Sequence, residues 1–443
     1  MTSKSTTYIS GEDGFTPYQD TCLIVHPVIQ GEIKSRPVEY QVEEIEGLSR
    51  AIELKVVRTD IINVSRIQAG SFLGKGQRER IAAAVEDDAP DIIIFNYVLS
   101  PVQQRNLERA WNVKVIDRTG LILEIFGARA QTREGRLQVE LAALEYQRSR
   151  LVRSWTHLER QRGGAGFMGG PGETQIEIDR RLISDRLVKL KRELDDVRRT
   201  RELGRKARER VPFPVVALVG YTNAGKSTLF NQLTGADIFA KDLLFATLDP
   251  TLRRIELPNG QTVILSDTVG FISDLPTHLI AAFRATLEQT LHADVILHVI
   301  DASQDDSVQQ RQDVIDILTD LGIEYESDPR VIEVYNKVDL LDEDLRGDFA
   351  RRSKFEDDFV GVSAVKKIGL ERLLQKVAGV TARGRVDVRF EISYADGKAL
   401  SWLYEHAEII ERSDEEQFVK CLVNIDQADL SKFQAQYEQY RSS

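Results

Sequence analysis

Residues 220–227 form a glycine-rich loop of fixed spacing, and no other part of the chain constrains the fold as strongly. The loop reads G-Y-T-N-A-G-K-S, follows the apolar run Val215–Val219 and precedes a helix-forming stretch. In this context, backbone N–H groups and the helix N-terminus point at anionic oxygens, Lys226 reaches the outer phosphates and Ser227 offers its hydroxyl to Mg2+. The sequence therefore predicts that the chain binds a nucleoside triphosphate; a plain glycine turn is the alternative.

The segment Asn336–Asp339 indicates which base is bound. It follows the apolar run 331–335, at the end of a predicted strand, where open α/β sheets place ligand contacts. A carboxylate at Asp339 can accept hydrogen bonds from the ring N–H and the exocyclic amine of guanine, and adenine lacks these donors together. We therefore expect GTP rather than ATP, with Ser363 and Ala364 pressing backbone against the base. An exposed turn is the alternative interpretation of residues 336–339.

Two further motifs lie between these in sequence. Asp267–Gly270 follows the strand-like run 263–266, so Asp267 can hold the water shell of Mg2+ and the Gly270 N–H can meet the γ-phosphate. Phe245–Asp249 lacks periodicity and suits a switch loop, whose Thr247 hydroxyl contacts Mg2+ only when the third phosphate is present. A solvated loop threonine is the alternative for Thr247. The motifs, in this order, are typical of TRAFAC-class GTPases.

Phe271 and Asn223 bear on how fast such an enzyme works. Phe271 occupies the position where many small GTPases carry a glutamine that orients water, and an apolar side chain cannot do so. Intrinsic hydrolysis should therefore be slow, with water positioned by backbone, an ion or a partner. Asn223 matches the loop form of GTPases that use K+ in place of an arginine finger, so K+ is a candidate cofactor beside Mg2+. A hydrolysis rate indifferent to exchanging K+ for Na+ would exclude it.

Composition limits the class of protein. The chain has 443 residues, enough for several domains, and no apolar run approaches the roughly 18 residues of a membrane helix. Residues 1–7 lack the apolar core of a signal peptide. Cys22 and Cys421 have no metal-like spacing and suit a reducing compartment. We expect a cytoplasmic protein.

The positive charge is concentrated between Tyr146 and Arg210. The chain has a net charge of −11, but this stretch carries 18 basic against 10 acidic side chains. Leucines recur at 4-3 spacing on either side of the glycine-rich stretch 163–172, which predicts an antiparallel pair of helices. Exposed arginines and Phe167 at the tip could enter folded RNA. A solvated coiled coil laced with ion pairs, ending in a plain flexible loop, is the alternative.

Alternating apolar runs and helical patterns set the domain organisation. The strand-like runs before the hairpin predict a small α/β domain with a parallel sheet, and those after residue 383 predict an α+β module. The predicted units are a flexible N-terminus at 1–20, an N-terminal α/β domain at 21–130, a basic two-helix coiled-coil hairpin at 131–210, a P-loop GTPase domain with a mixed sheet and helices on both faces at 211–382, and a C-terminal α+β domain at 383–443.

The whole arrangement resembles the HflX family of ribosome-associated GTPases. The resemblance extends over nearly the full length and is carried by the Gly-Tyr-Thr-Asn loop and by Phe72–Gly76, Asp117–Phe126 and the signature Gly169–Arg181. It implies Mg2+-dependent GTP hydrolysis activated by the ribosome, and binding to the large ribosomal subunit and its rRNA by a monomer, with no DNA and no membrane insertion. Ribosome splitting or recycling under stress is the implied role; an assembly or anti-association factor is the alternative.

The resemblance also implies the site residues. Catalytic roles fall on Lys226, Thr247 and Gly270, and metal contacts on Ser227 and Thr247. The nucleotide contacts are Gly220, Tyr221, Thr222, Asn223, Ala224, Gly225, Lys226, Ser227, Phe245, Ala246, Thr247, Leu248, Asp249, Asp267, Thr268, Val269, Gly270, Asn336, Lys337, Val338, Asp339, Ser363, Ala364 and Val365.

Overall fold

Three sheets and a long helical hairpin make up the chain. The computed structural model describes residues 19–32, 36–161, 175–208, 213–235, 244–245, 251–273 and 290–440. An N-terminal parallel sheet is followed by the hairpin, a six-stranded mixed sheet and a three-stranded antiparallel sheet. The predicted α/β fold class is confirmed.

The N-terminal sheet has four parallel strands in the order β2-β1-β3-β4. Its elements are β1 (Thr21–Ile29), α1 (Val38–Ala51), β2 (Lys55–Val64), α2 (Lys75–Asp88), β3 (Ile92–Phe95), α3 (Pro101–Trp111), β4 (Lys114–Asp117) and α4 (Arg118–Arg129). β1 is mostly apolar because helices cover both faces of the sheet. Asp117 ends β4 and caps α4 by accepting a 2.8 Å hydrogen bond from the Gly120 amide.

The hairpin consists of α5 (Arg133–Gln161) and α6 (Gln175–Arg208). Its apolar seam is buried near the N-terminal domain and contains Leu137, Leu141, Leu187, Leu190 and Leu194. The 4-3 leucine spacing thus places one face of each helix against the other, as a coiled-coil pattern requires. The glycine-rich stretch 163–172, including Phe167, lies outside the described residues.

The central sheet has the order β10-β9-β8-β5-β7-β6, in which only the edge strand β6 runs antiparallel. Its elements are β5 (Val215–Gly220), α7 (Lys226–Thr234), β6 (Thr251–Glu256), β7 (Thr262–Asp267), β8 (Val295–Asp301), α8 (Ser307–Asp320), β9 (Val331–Asn336), a 3-10 turn (Val338–Leu340), α9 (Glu343–Phe355), β10 (Phe359–Gly361) and α10 (Leu370–Thr381). The carboxyl ends of β5, β7, β8 and β9 therefore meet at one edge, where ligands bind in such sheets.

The C-terminal unit pairs its strands in the order β11-β13-β12. Its elements are β11 (Arg385–Ser393), α11 (Gly397–His406), β12 (Ala407–Asp414), β13 (Phe418–Asp426) and α12 (Gln427–Gln436). The sequence pattern had not indicated β12, which is rich in charged side chains. Phe433 of α12 is fully buried against Phe390, with ring centroids 4.9 Å apart, and closes the core of this unit.

Two further properties concern the helices and the cysteines of the described ranges. Neither the long hairpin helices nor any other helix in these ranges combines the length and apolar character needed to cross a bilayer. Cys22 and Cys421 are both buried free thiols, and burial raises the pKa of each.

Candidate nucleotide-binding site

The glycine-rich loop emerges from the middle of the central sheet, between β5 and α7. Three of its residues have positive φ angles: Gly220 at 147°, Asn223 at 62° and Gly225 at 91°. A side chain at position 225 would clash with the Asn336 amide. Glycine is therefore required there by both the backbone angle and the close approach of a neighbouring loop.

Lys226 lies at the start of α7, where the helix N-terminus favours anions. Its ammonium is buried and donates hydrogen bonds to the carbonyls of Gly220 at 3.0 Å and Tyr221 at 2.7 Å. Burial lowers its pKa to about 8, although the nearby Asp267 carboxylate opposes this effect. The lysine is thus mainly cationic at neutral pH, and its only neighbours in these two hydrogen bonds are neutral carbonyls.

Ser227 and Asp267 lie together beside the loop. The Ser227 hydroxyl donates to the Asp267 carboxylate across 2.8 Å. A hydroxyl and a carboxylate are hard oxygen donors of the kind Mg2+ prefers, usually with several waters retained. The residues present therefore fit a magnesium ion. The other predicted metal contact, Thr247, lies outside the described residues together with Ala246, Leu248 and Asp249.

The predicted base-binding segments lie next to the loop. Asn336, at the end of β9, donates to the Ala224 carbonyl at 3.0 Å and accepts from the Ala364 amide at 3.0 Å. Lys337 forms an ion pair with Asp301 at 2.6 Å. One asparagine thus holds the phosphate loop against residues 363–365, while Asp339 follows in the 3-10 turn. The fold brings together motifs that lie more than a hundred residues apart.

A buried polar cluster joins the phosphate loop to the N-terminal domain; we call it the Glu44 junction. Its members are Arg36, Glu44, Arg118, Tyr221 and Ser273. Glu44 accepts hydrogen bonds from the hydroxyls of Tyr221 and Ser273, the latter at 2.8 Å, and from Arg118 at 2.5 Å. Tyr221 also accepts from Arg36 at 2.5 Å and from the Ser273 amide at 2.8 Å. The junction therefore ties the loop and the segment after Gly270 to the same carboxylate.

Charge is balanced within the Glu44 junction. The side chains of Arg36, Glu44 and Arg118 are each under 10% exposed, and Arg36 also pairs with Asp306 and Asp313 of the central domain. Burial acts to raise the pKa of Glu44, but the arginines and hydroxyl donors outweigh it and the pKa is lowered. A buried charge is stable only when paired in this way. The carboxylate is therefore ionised at neutral pH.

An apolar contact reinforces this connection at the start of the predicted switch loop. Phe245 is 2% exposed and packs edge-on against Phe126 of α4, with ring centroids 4.7 Å apart. Leu244 lies against Gly47 of α1, where an added β-carbon would come within 3.0 Å of the leucine. The N-terminal domain thus contacts the phosphate loop and both segments expected to respond to the γ-phosphate.

Sequence reasoning missed Arg36 and Glu44 altogether and noted Arg118 only as part of the family resemblance. Each is an ordinary charged residue within a helix or a connecting stretch, far in sequence from its partners. The one usable signal was Tyr221, the only aromatic residue in the glycine-rich loop. A buried tyrosine hydroxyl needs a partner.

Comparison with known proteins agrees with this geometry. Residues 39–127 match the family model described as GTP-binding GTPase N-terminal, residues 129–208 its middle region, and residues 215–337 a model described as 50S ribosome-binding GTPase. GTPase HflX of Magnetococcus marinus is 48% identical over 398 residues, covering 89% of this chain and 90% of the relative. The chain belongs to the HflX family of GTPases. GTPase HflX of Escherichia coli is 49% identical over 304 residues, 69% of this chain and 70% of the relative.

Membership of the HflX family makes the chain a GTP hydrolase with a P-loop GTPase domain. Among solved structures, a GTP-binding protein from Sulfolobus solfataricus in complex with GDP is 23% identical, with a TM-score of 0.46 over 82% of this chain and 99% of that chain. Glu44 and Arg118 fall inside the matched N-terminal region, and Tyr221 and Ser273 inside the matched GTPase region. The junction therefore connects two of the regions that match family models.

Proposed function

We propose that this HflX-family GTPase binds the large ribosomal subunit and couples GTP binding and hydrolysis to ribosome splitting or recycling, under stress. One observation carries the proposal: the Glu44 junction and the Phe126–Phe245 contact join the nucleotide loop to the N-terminal domain. A change at the γ-phosphate would therefore alter the contacts that the nucleotide loop makes with the N-terminal domain. That domain and the hairpin would contact the ribosome. Only a difference in ribosome affinity between nucleotide states can drive such a cycle.

Residues of the nucleotide motifs have separate proposed roles in binding and hydrolysis. Lys226 neutralises charge on the outer phosphates, loop amides hold the phosphate oxygens, and the Gly270 amide meets the γ-phosphate. Asp339 selects guanine, and Asn336 keeps the base-binding segments in register with the loop. Ser227 and Thr247 would hold Mg2+, with Asp267 in support; when bound, the metal neutralises the developing phosphate charge.

The helical hairpin is the proposed rRNA contact. Arg180, Arg192 and Arg199 of α6 are exposed and suited to bidentate phosphate contacts. Some of the basic side chains have a structural role instead: Arg186 pairs with Glu140 at 2.7 Å, and Lys191 with Glu145 at 3.1 Å, both across the hairpin. The hairpin thus combines ion pairs that hold its helices together with arginines left facing outward.

Potassium is the proposed second cation. Asn223 is exposed at the tip of the loop in a left-handed conformation, and its side chain is a suitable oxygen donor beside the phosphates. We expect hydrolysis by the full chain to slow by at least about tenfold when K+ is replaced by Na+, because a charge contact to the developing phosphate charge is weakened. Equal rates in the two salts at matched ionic strength would exclude the potassium role.

Sedimentation tests the ribosomal role. The full chain is mixed with intact ribosomes and GTP and run on a sucrose gradient, with GDP as the matched control. Free subunits appearing only with GTP would support splitting. Bound intact particles, or binding to isolated large subunits alone, would instead support the alternative, an assembly or anti-association factor in which GTP times occupancy. We expect the factor to be a cytoplasmic monomer, and the same gradient reports its size.

A further inference from the structure

Two adjacent residues at the start of α4 contact different parts of the chain. Asp117 is 1% exposed and accepts a hydrogen bond from the Tyr146 hydroxyl of the hairpin helix α5 at 2.6 Å. Arg118 is 6% exposed and donates to the carbonyl and the hydroxyl of Ser273 in the central domain, both at 3.0 Å. One peptide bond thus separates a contact with the hairpin from a contact with the GTPase domain.

Both side chains are held in place by further bonds. The Asp117 carboxylate also accepts from the Gly120 amide at 2.8 Å. The Arg118 guanidinium also donates to Asn96 Oδ1 at 3.1 Å and to Glu44 at 2.5 Å. Buried polar networks with several partners are rigid, so these two side chains move together with the first turn of α4.

The hairpin packs closely against this first turn of α4. A β-carbon added at Gly120 would lie 3.3 Å from Asp117 Oδ1 and 3.8 Å from the Tyr146 hydroxyl. Tyr146 is half-buried and packs against the apolar core to which Phe126 of α4 belongs. A displacement of α5 would therefore act directly on the first turn of α4.

Ser273 connects the same turn to the nucleotide site. It follows Gly270 by three positions, and its amide donates to the Tyr221 hydroxyl of the phosphate loop at 2.8 Å. A hydrogen-bond donor stabilises a phosphoryl transition state only when its position is fixed in advance. A firmly held Ser273 therefore favours a firmly held Gly270 amide.

We propose that Tyr146 is a positioning residue for ribosome-stimulated hydrolysis. Its hydroxyl fixes the turn at residues 117–118, and this turn fixes Ser273 and the adjoining Gly270. Binding of the hairpin to the ribosome restrains the bond from Tyr146 to Asp117, which supplies the difference between free and bound states that coupling requires. The inference rests on the proposed function, which assigns the ribosome contact to the hairpin and the γ-phosphate contact to Gly270.

Tyr146→Phe removes the hydroxyl and keeps the ring. We expect GTP hydrolysis by the full chain with saturating ribosomes to slow by at least about fivefold, because a hydrogen bond to a carboxylate is lost. The ribosome-free rate and the affinity for ribosomes should stay within about twofold. Gln147→Ala removes an exposed neighbour on α5 and should leave all three quantities within about twofold. A merely structural role of Tyr146 would lower the ribosome-free rate as much as the stimulated rate.

A double variant tests whether Tyr146 acts through the turn. Arg118→Lys loses the forked contacts to Ser273 and should itself reduce ribosome stimulation. Adding Tyr146→Phe to Arg118→Lys should then slow the stimulated rate by less than about twofold more. Full multiplication of the two single effects would mean that the residues act independently, and would contradict the inference.

Hydrogen exchange without ribosomes tests the connection by itself. Exchange at the Ser273 amide of the full chain should be at least about threefold faster in Tyr146→Phe than in Gln147→Ala. Equal exchange in these two variants, or a stimulated rate unchanged in Tyr146→Phe, would overturn the inference. A wild-type protein that ribosomes neither bind nor stimulate would refute the proposed function and with it the ribosomal part of the inference. The exchange measurement would still decide whether Tyr146 positions Ser273.

Discussion

Lys226→Ala should reduce GTP turnover by about a hundred- to thousand-fold, the cost of removing one preorganised charge contact to a phosphoryl transition state. Its ammonium is buried at the start of α7 beside the loop carbonyls, so no neighbouring cation among the described residues of the loop replaces it. Affinity for GTP should fall as well, because the lysine contacts phosphate before and during the reaction. Phosphate release by the full chain measures turnover, and fluorescence titration measures binding.

A matched control is Lys354→Ala, which removes an exposed lysine from α9 of the same domain. Its turnover should remain within about twofold of the wild type, since isolated surface charges contribute little. Lys226→Ala with unchanged turnover would mean that the loop at 220–227 is not the phosphate site. A drop in both variants would point to a general loss of folding.

Glu44→Ala should destabilise the contact between the two domains by about 3 kcal/mol, within the range for breaking a buried ion pair. The substitution removes an acceptor shared by Arg118, Tyr221 and Ser273, all poorly exposed. Hydrogen exchange should quicken at the amides of Thr222 and Ser273, whose bonds belong to this region. Mass spectrometry of the full chain measures this exchange, and urea unfolding measures the stability.

Glu43→Ala is the control, since Glu43 is exposed on the same helix. Glu43→Ala should change the free energy of unfolding by less than about 0.5 kcal/mol. The pH dependence has a definite sign: the folded pKa of Glu44 is below the ordinary 4.5, so its stabilisation is complete above pH 4.5 and is lost as pH falls through the lowered pKa. The difference between wild type and Glu44→Ala should therefore narrow in acid. An equal loss of stability in Glu44→Ala and Glu43→Ala would contradict the role of this carboxylate. So would a stability difference between wild type and Glu44→Ala that stays the same in acid.

The strand, loop and helix that contain the glycine-rich motif could be predicted because their signals are local. A strand, a glycine turn and a helix occupy 220–227 and their flanks, and the chemistry of phosphate binding dictates the residue types at each place. The parallel strands of the N-terminal sheet could also be predicted, since burial on both faces produces mostly apolar runs such as that within Thr21–Ile29. Local pattern and local structure agree in these segments.

The interdomain contacts could not be predicted in this way. Glu44 and Ser273 are 229 positions apart. The local sequence pattern around each residue gives no sign of the other. β12 was missed for a different reason: Ala407–Asp414 has four charged residues among eight and offers few apolar signals. Its place is decided by pairing with β13, a tertiary effect that outweighs local propensity.

The shared core between Phe126 and Phe245 has a practical consequence for anyone dissecting this enzyme. A GTPase fragment cut out just before residue 213 would carry Tyr221, Phe245 and Ile272 without the apolar and ionic cover they now have. Such a fragment would expose these apolar side chains to solvent and would tend to aggregate. Its hydrolysis rate would be that of a destabilised domain. Hydrolysis rates measured on the isolated GTPase domain would therefore not describe the intact protein.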